Sequence, residues 1–356
     1  MRRHGFDWLR IFVIFLLFPF HTARVFDIWE PNYVKDTVNG FSTWFVAALG
    51  YWVMPLLFVI AGYGAYCALT KRSTGQFLKE RALRLIVPLI FGLIVIVPPQ
   101  GYLALTQQYG FTGGYFSFLG RYFTDFSDLS GYTGSFTPAH LWFILYLFII
   151  SAALVVPVRK LAMRPERLQS LARPWLVILA FIPLTAMQAL PDIGGKNIFY
   201  FALFFVFGAV FANSGAFLEK LKKLRFPLLS GGLLTGAVMF LIASRFGWPD
   251  GYTLEGISFA LLRNLSAWLL ILGLLGVADT YLSRPIRALS YLNRASYPVY
   301  LVHQTLLLVV AYYVVMTDLP PALKFIVIAA GSLVVSVGCF EICRRFRVTR
   351  FLFGIK

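Results

Sequence analysis

The sequence predicts an all-α polytopic membrane protein, and three features lead to that fold class. The 356 residues are 59% hydrophobic and only 13% charged, whereas a soluble domain has about 25% charged residues. Apolar runs long enough to cross a bilayer recur along the whole chain. The basic residues fall in short clusters between those runs, as in the cytoplasmic loops of membrane proteins. This clustering argues against nucleic-acid binding, which the net charge of +17 would otherwise suggest.

Ten apolar runs have about the length of a membrane-spanning helix. They lie near 8–27, 43–69, 85–105, 139–158, 175–190, 197–213, 227–245, 257–277, 295–316 and 322–343. We therefore expect about ten transmembrane helices in a single domain, 1–356, with no appended soluble domain. The basic start resembles a signal peptide, but the first run is long and lacks a small-residue cleavage site, so we expect it to be retained as a helix.

The topology follows from the distribution of the 32 Lys and Arg residues. If the first residue lies inside, most of them fall on the inner side, as the positive-inside rule requires. Only seven then fall on the outer side or at outer helix ends: Arg24, Lys35, Arg121, Lys196, Arg245, Arg263 and Lys324. We expect both termini to face the cytoplasm.

The first helix carries an arginine and a histidine that share one face. His21 follows Arg10 by eleven residues, which is about three helical turns and about 16 Å along the axis. If Arg10 lies at the inner surface, His21 lies near the middle of the bilayer, where ionisable residues are costly and usually functional. Asp7, three residues before Arg10, is placed to fix the guanidinium by an i,i+3 pair.

His21 is the first candidate catalytic residue. Pro19 removes a helix hydrogen bond and frees the carbonyl of Phe15, which suggests a locally polar, water-accessible site. A neutral imidazole there would act as general base toward a hydroxyl. The alternative is an interhelical hydrogen-bond partner without catalytic function.

A second group of candidates lies on the inner side, before the third helix. Arg81 and Arg84 are spaced i,i+3 in the segment KRSTGQFLKERALRLIVP. Two guanidinium groups on one face suit a phosphate-bearing ligand. Basic clusters of this kind also serve as membrane anchors or contacts to anionic lipids, and the spacing alone leaves both interpretations open.

Two further histidines lie in aromatic surroundings. His140, Trp142 and Tyr146 open the fourth predicted helix in FTPAHLWFILYLF, and His303 lies about two turns into the ninth, after SYPVYLV. All four are candidates for binding the acceptor or supporting the site. The alternative for the aromatic residues is a simple anchoring role at the membrane interface.

The remaining polar features give weaker indications. The long outer segment 106–138 is rich in Gly and aromatic residues, and its Asp125 and Asp128 are candidates for lining a site for a sugar-like acceptor. Cys339 and Cys343 are spaced i,i+4, but no nearby His or further Cys completes a ligand set. We expect no metal site.

Taken together, these segments resemble the acyltransferase-3 family of integral membrane acyltransferases. An Arg, ten residues and a His correspond to Arg10 and His21, and the element LFVIAGYGAY has Ala61 where serine is common in the family. The R-x-x-R, H-L-W-F and S-Y-x-x-Y-L-x-H elements correspond to Arg81 and Arg84, to the segment from His140, and to Ser296–His303.

The resemblance implies an activity. A membrane O-acyltransferase of this family would move an acyl group, acetyl or succinyl, from cytoplasmic acyl-CoA to a hydroxyl of an extracytoplasmic carbohydrate. His21 would be the catalytic histidine, and Arg10, Arg81 and Arg84 would bind the donor. Asp7, which lies beside Arg10 in the same helix, is a further candidate catalytic residue. The segment from Pro19 to His21 is most similar to the branch that modifies periplasmic glucans, including by succinyl transfer.

Two other classes of function stay open. A secondary transporter or exporter of a small acyl or glycan-related substrate would also have buried His, Arg and Pro residues, although the halves show no convincing symmetry. A scaffold subunit without chemistry is the third alternative. We expect no permanently bound cofactor. The expected partners are acyl-CoA, a glycan acceptor and membrane lipids, with homo-oligomerisation open and no nucleic acid.

Overall fold

The computed structural model describes residues 3–164, 177–284 and 286–355. These residues form helices and no strand apart from one isolated bridge between Ile193 and Lys196. The first nine α-helices are α1 His4–Phe26, α2 Gly40–Gly50, α3 Val53–Leu69, α4 Thr74–Arg81, α5 Val87–Phe91, α6 Pro98–Tyr109, α7 Tyr115–Thr124, α8 Trp142–Ala153 and α9 Val155–Met163. The remaining seven are α10 Phe181–Met187, α11 Ile198–Asn213, α12 Gly215–Phe246, α13 Leu254–Tyr281, α14 Arg287–Val315, α15 Pro321–Cys343 and α16 Arg347–Leu352.

The all-α membrane fold is confirmed, but the expected count of ten spanning helices is not. Seven helical segments in the described part of the chain are long and apolar enough to span a membrane. An eighth is obtained if α8 and α9, which meet at an angle of 57°, count as one broken span. Helix α11 has only 16 residues. The run predicted at 175–190 begins outside the described residues and contains only the seven-residue α10.

The predicted orientation of the termini stays a prediction. Part of the basic pattern on which it depends, including Arg2, Arg167, Arg173 and Lys356, lies outside the described residues. The N-terminal segment is helical from His4, so this histidine does not lie in an extended tail.

The chain forms two compact units. The first contains Met1–Arg10, Gly50–Leu78 and Ile149–Ile286, and the second contains Ile11–Leu49, Lys79–Phe148 and Arg287–Lys356. Their segments alternate along the sequence, so local sequence order does not reveal them. The single-domain prediction is not tested by this division.

Three helices of the first unit, α11, α12 and α13, begin at polar side chains that satisfy free backbone N–H groups. Asn197 accepts a hydrogen bond from the N–H of Tyr200 at the start of α11, over 2.9 Å. Ser214 and Thr253 cap α12 and α13 in the same way. These caps fix where apolar helices begin, which the apolar runs alone predict only to within a few residues.

Close helix packing in the first unit depends on glycine. A Cβ on Gly62 of α3 would collide with the backbone carbonyl of Phe205 in α11, and a Cβ on Gly208 would collide with that of Val59. In lipid no hydrophobic force drives helices together, so their association depends on close packing. Small residues at the contact allow the backbones to approach closely. Gly62 belongs to the LFVIAGYGAY element, so its role there is to permit this contact.

The second unit contains the main part of α1, the long helical segment 79–109 and the pair α14 and α15. That segment is not a regular α-helix, since it contains two π-helical turns, Ala82–Ile86 and Gly92–Ile96. Such turns release backbone carbonyls from the α-helical pattern and often occur at functional sites.

Buried ion pairs hold the segment that follows α1 in the second unit. Asp27 is fully buried and contacts Arg24 at 2.6 Å and Lys35 at 2.8 Å. Lys324 of α15 reaches Asp36 at 2.8 Å. These ion pairs join the segment 27–39 to α1 and α15 within this unit.

Substituting Gly62 by Leu is expected to destabilise the first unit, because a backbone carbonyl cannot move away from a new side chain as a rotamer can. We expect a loss of about 3 kcal/mol or more, at the upper end for overpacking. Gly64→Leu is the matched control, since Gly64 is exposed on the same helix and no atom lies within 4 Å of the position that a Cβ would take there. Thermal unfolding in detergent checks this, and equal melting temperatures of the two variants would contradict the packing argument.

Candidate active site

Three of the four histidines meet inside the second unit. The ring centroid of His303 lies 5.2 Å from that of His21 and 5.0 Å from that of His140. They come from α1, from the 3-10 turn Ala139–Leu141 before α8, and from the middle of α14. We call His21, His140 and His303 the histidine cluster.

His303 has a defined tautomer, inferred from its hydrogen bond. Its Nδ1 lies 2.5 Å from the carbonyl oxygen of Tyr300. A carbonyl only accepts, so Nδ1 carries the proton and Nε2 carries a lone pair. This Nε2 is buried and has no hydrogen-bond partner within the described chain.

His140 uses both of its ring nitrogens. Its Nε2 donates to the carbonyl oxygen of Leu301 over 2.9 Å, and its Nδ1 accepts from the amide of Gln100 over 3.3 Å. The hydroxyl of Tyr300 donates to the backbone carbonyl of His140. With these bonds in place, His140 is a fixed ring that orients its neighbours, and it has no nitrogen left for a substrate.

A polar network supports this ring. Gln100 is fully buried, and its amide also donates to the hydroxyl of Thr305 over 2.7 Å. Thr305 in turn donates to the carbonyl oxygen of Ile96 over 2.7 Å. That carbonyl is available because the N–H of Gln100, its partner in a regular α-helix, bonds to Val97 after the π-helical turn. The irregular helix therefore creates the acceptor that orders Thr305 and Gln100.

The backbone immediately before His140 is strained. Ala139 has φ of +42° and is the one non-glycine residue with positive φ in the described ranges. Such a conformation costs on the order of 1–3 kcal/mol and persists where its surroundings impose it. Here Pro138 precedes it, and the hydroxyl of Thr137 accepts the N–H of Ala139 over 2.9 Å. The segment before α8 thus helps to hold His140 at its position.

His21 is the accessible member of the histidine cluster. It is half-buried, whereas His140 and His303 are buried. Phe20 packs edge-on against its ring at 5.2 Å, and Phe18 contacts His303 at 5.8 Å. An accessible imidazole beside two buried ones is the group in this cluster that a substrate can reach.

The predicted donor-binding arginines of the second unit lie around a tyrosine of α14. The Tyr297 hydroxyl donates to the carbonyl oxygen of Arg84 over 2.8 Å, and the Arg84 guanidinium lies 5.9 Å from the ring centroid. Arg84 is exposed and Arg81 is half-buried, and both interact electrostatically with Tyr297. The two side chains form a basic surface on this unit.

The predicted pair of Asp7 and Arg10 is present in the first unit. The guanidinium of Arg10 lies 3.2 Å from the carboxylate of Asp7, at the expected i,i+3 spacing. Helix α1 continues without a break from this pair through Pro19 to His21. The catalytic role predicted for Asp7 and the donor-binding role predicted for Arg10 stay predictions.

The other predicted side chains have mixed outcomes. Trp142 and Tyr146 pack edge to face with ring centroids 5.4 Å apart on α8. Asp125 and Asp128 accept hydrogen bonds from Ser127 and Ser130. Hydrogen bonds from the Ser127 hydroxyl and N–H lower the pKa of the half-buried Asp125. These bonds form local turns, so both carboxylates have structural partners.

Among the described residues no group of three or more His, Cys, Asp or Glu could hold a metal ion.

A family model described as "Acyltransferase domain", of the acyltransferase-3 type, matches residues 3–341. The chain belongs to the acyltransferase-3 family. The resemblance seen in the separate motifs is thereby confirmed over nearly the whole chain.

Curated relatives of this acyltransferase-3 family protein are also full-length matches. Glucans biosynthesis protein C of Salmonella gallinarum (strain 287/91 / NCTC 13346) is 23% identical over 388 aligned positions, covering 100% of this chain and 95% of that protein. The protein of that name from Salmonella heidelberg (strain SL476) is 24% identical over 389 positions with the same coverage. No solved structure matches.

Sequence reasoning missed the residues that join the histidines. Gln100 and Thr305 were not among the candidates, although a glutamine directly after two prolines in an apolar helix is a signal, because buried polar side chains in membranes need partners. Nothing in the sequence indicates the strain at Ala139. This strain follows from tertiary contacts of the segment that precedes α8.

Proposed function

We propose that this membrane acyltransferase is an O-acyltransferase that moves an acetyl or succinyl group from cytoplasmic acyl-CoA to a hydroxyl of an extracytoplasmic carbohydrate, in a bacterial-type inner membrane. The histidine cluster is the observation that carries the proposal. Family membership supports the reaction class, and it favours an enzyme over the transporter and scaffold alternatives.

The chemical argument starts from His21. A neutral imidazole removes the proton of an acceptor hydroxyl, whose oxygen then attacks the acyl carbonyl carbon. The carbon–sulfur bond of the thioester breaks, and the thiolate of CoA leaves and takes up a proton. His21 suits this role because it is the accessible ring of the cluster, while His140 and His303 are held by backbone carbonyls.

The donor argument starts from charge. CoA carries several phosphates and does not cross a bilayer unaided, so its charged end needs cationic groups on the cytoplasmic side. Exposed Arg84 and half-buried Arg81 supply planar donors of the kind that bind phosphate. Arg10 is proposed for the same role because α1 places it about three turns from His21. Asp7 would hold its guanidinium.

The acceptor argument depends on the relatives and on aromatic side chains. The curated relatives are named glucans biosynthesis protein C, which supports a glucan as the acceptor. Half-buried Trp142 packs edge to face against buried Tyr146 on α8, close in sequence to His140. Aromatic faces suit the apolar faces of sugar rings, so we propose Trp142 as an acceptor contact and Tyr146 as the residue that supports its ring.

Replacing His21 by Ala is expected to lower acyl transfer by about 100- to 10 000-fold, the usual contribution of a general base. The measurement is transfer of labelled acetyl or succinyl from acyl-CoA to a glucan by purified protein in liposomes. His4→Ala is the matched control and should retain activity, since His4 lies three turns or more from His21 on the same helix. Full activity in correctly inserted His21→Ala protein would refute the assignment.

Replacing Arg81 and Arg84 together by Ala is expected to raise the KM for acyl-CoA by about tenfold or more, because a hydrogen bond to a charged group contributes about 1.5–3 kcal/mol. The kcat at saturating donor should change much less. Lys71→Ala combined with Lys79→Ala removes the same charge from the same stretch of sequence and serves as the control. An unchanged KM in the arginine variant, or an equal rise in the lysine variant, would argue against a specific donor site.

A further inference from the structure

The lone pair on His303 has no partner among the described residues, although the side chain is completely buried. His303 is 0% exposed, and its Nδ1–H is already bonded to the carbonyl of Tyr300. The remaining nitrogen, Nε2, is an acceptor that no donor in the described part of the chain reaches. Leaving such a group unsatisfied in an apolar interior is costly, so a buried lone pair of this kind indicates a donor that approaches it.

The surrounding rings leave one candidate donor. His140 contacts His303, but its N–H is bonded to Leu301. Tyr300 contacts His303, but its hydroxyl is bonded to the carbonyl of His140. Phe18 has no polar hydrogen. The fourth ring in contact is that of His21, at 5.2 Å between centroids and tilted by 48°.

We propose that His303 is a positioning residue that accepts the ring N–H of His21 through its Nε2. This inference rests on the proposed function of His21 as the base. The hydrogen bond would fix the His21 tautomer, so that its other nitrogen presents a lone pair to the acceptor hydroxyl. In serine hydrolases a carboxylate has this orienting role for a histidine base. In this protein a second imidazole, that of His303, would have this orienting role.

The proton balance of the step is simple. When His21 removes the proton of the acceptor hydroxyl, it becomes an imidazolium with two N–H groups. One holds the newly acquired proton, and the other stays bonded to His303 Nε2, which stabilises the positive charge. The acquired proton passes to the departing thiolate, and His21 returns to its neutral form. His303 keeps its own Nδ1–H bonded to Tyr300 throughout.

A kinetic test uses substitutions of His303 that keep or remove its hydrogen-bond acceptor. His303→Phe keeps a ring of similar size without nitrogen, and we expect kcat to fall by about 100-fold, within the range for general-base catalysis. The KM values for the acyl donor and the acceptor substrate should change less than about threefold, because the substitution removes no contact that binds either substrate in the ground state. His303→Gln places an amide oxygen near the original Nε2, and its kcat should be at least tenfold higher than that of His303→Phe.

The pH profile provides a readout that packing alone would not move. The titratable and charged groups facing His21 are His303 and His140 in the cluster and Arg24 on the same helix. We expect the pH dependence of kcat to change in His303→Phe and to stay as in the wild type in His4→Phe. Equal kcat and an unchanged profile in His303→Phe would overturn the proposal.

A spectroscopic test does not require activity. The chain has four histidines, so labelling with ¹⁵N-histidine gives four imidazoles to assign in bilayers. We expect His303 to show a protonated Nδ1 and an unprotonated, hydrogen-bonded Nε2, whose chemical shift changes in His21→Gln. A His303 Nε2 signal that is identical in wild type and His21→Gln would overturn the proposal even if His303→Phe fails to fold.

The outcomes separate this inference from the proposed function. Loss of activity in His21→Ala with full activity in His303→Phe leaves the function standing and rejects the role of His303. Full activity in both variants rejects both. Loss in both, with partial recovery in His303→Gln and the shift change in His21→Gln, supports both.

Discussion

One constraint determines the structure of the second unit: polar side chains buried in an apolar interior need hydrogen-bond partners. Its central side chains are histidines, a glutamine and a threonine, which are costly at membrane depth unless they are hydrogen-bonded. The His140 ring meets this need through Leu301 and Gln100, and Gln100 through Thr305. Each bond fixes the next group, so the arrangement of the cluster is determined as a whole. The exceptions, Gln100 Oε1 and His303 Nε2, lie in the same network.

Irregular backbone supplies the partners for this network. The π-helical turn Gly92–Ile96 releases a carbonyl that accepts from Thr305, and Ala139, with its positive φ, directly precedes His140. Both features are unfavourable when considered alone. They persist because hydrogen bonds within the unit, from the N–H of Ala139 to Thr137 and from Thr305 to Ile96, hold them in place. In the first unit, by contrast, regular helices pack closely at glycines such as Gly62 and Gly208.

Much of the fold class follows from composition and hydropathy, since length and apolarity suffice to predict membrane helices. The count is harder to predict, because the run at 139–158 contains a break at Leu154 that hydropathy does not register, and the helix in the run at 197–213 has only 16 residues. The histidines were identified singly from their motifs. Their assembly was not predicted, because it depends on Gln100, Thr305 and a strained alanine, whose importance arises only from tertiary contacts.

The central claim is that an inner donor and an outer acceptor meet at the histidine cluster. The direct measurement uses sealed vesicles of known orientation, with labelled acyl-CoA on the cytoplasmic side only and a glucan on the opposite side only. The account predicts labelled ester on the glucan and stoichiometric free CoA on the donor side. Absence of labelled ester from well-folded wild-type protein, or label that crosses as free acid without modifying the glucan, would contradict it.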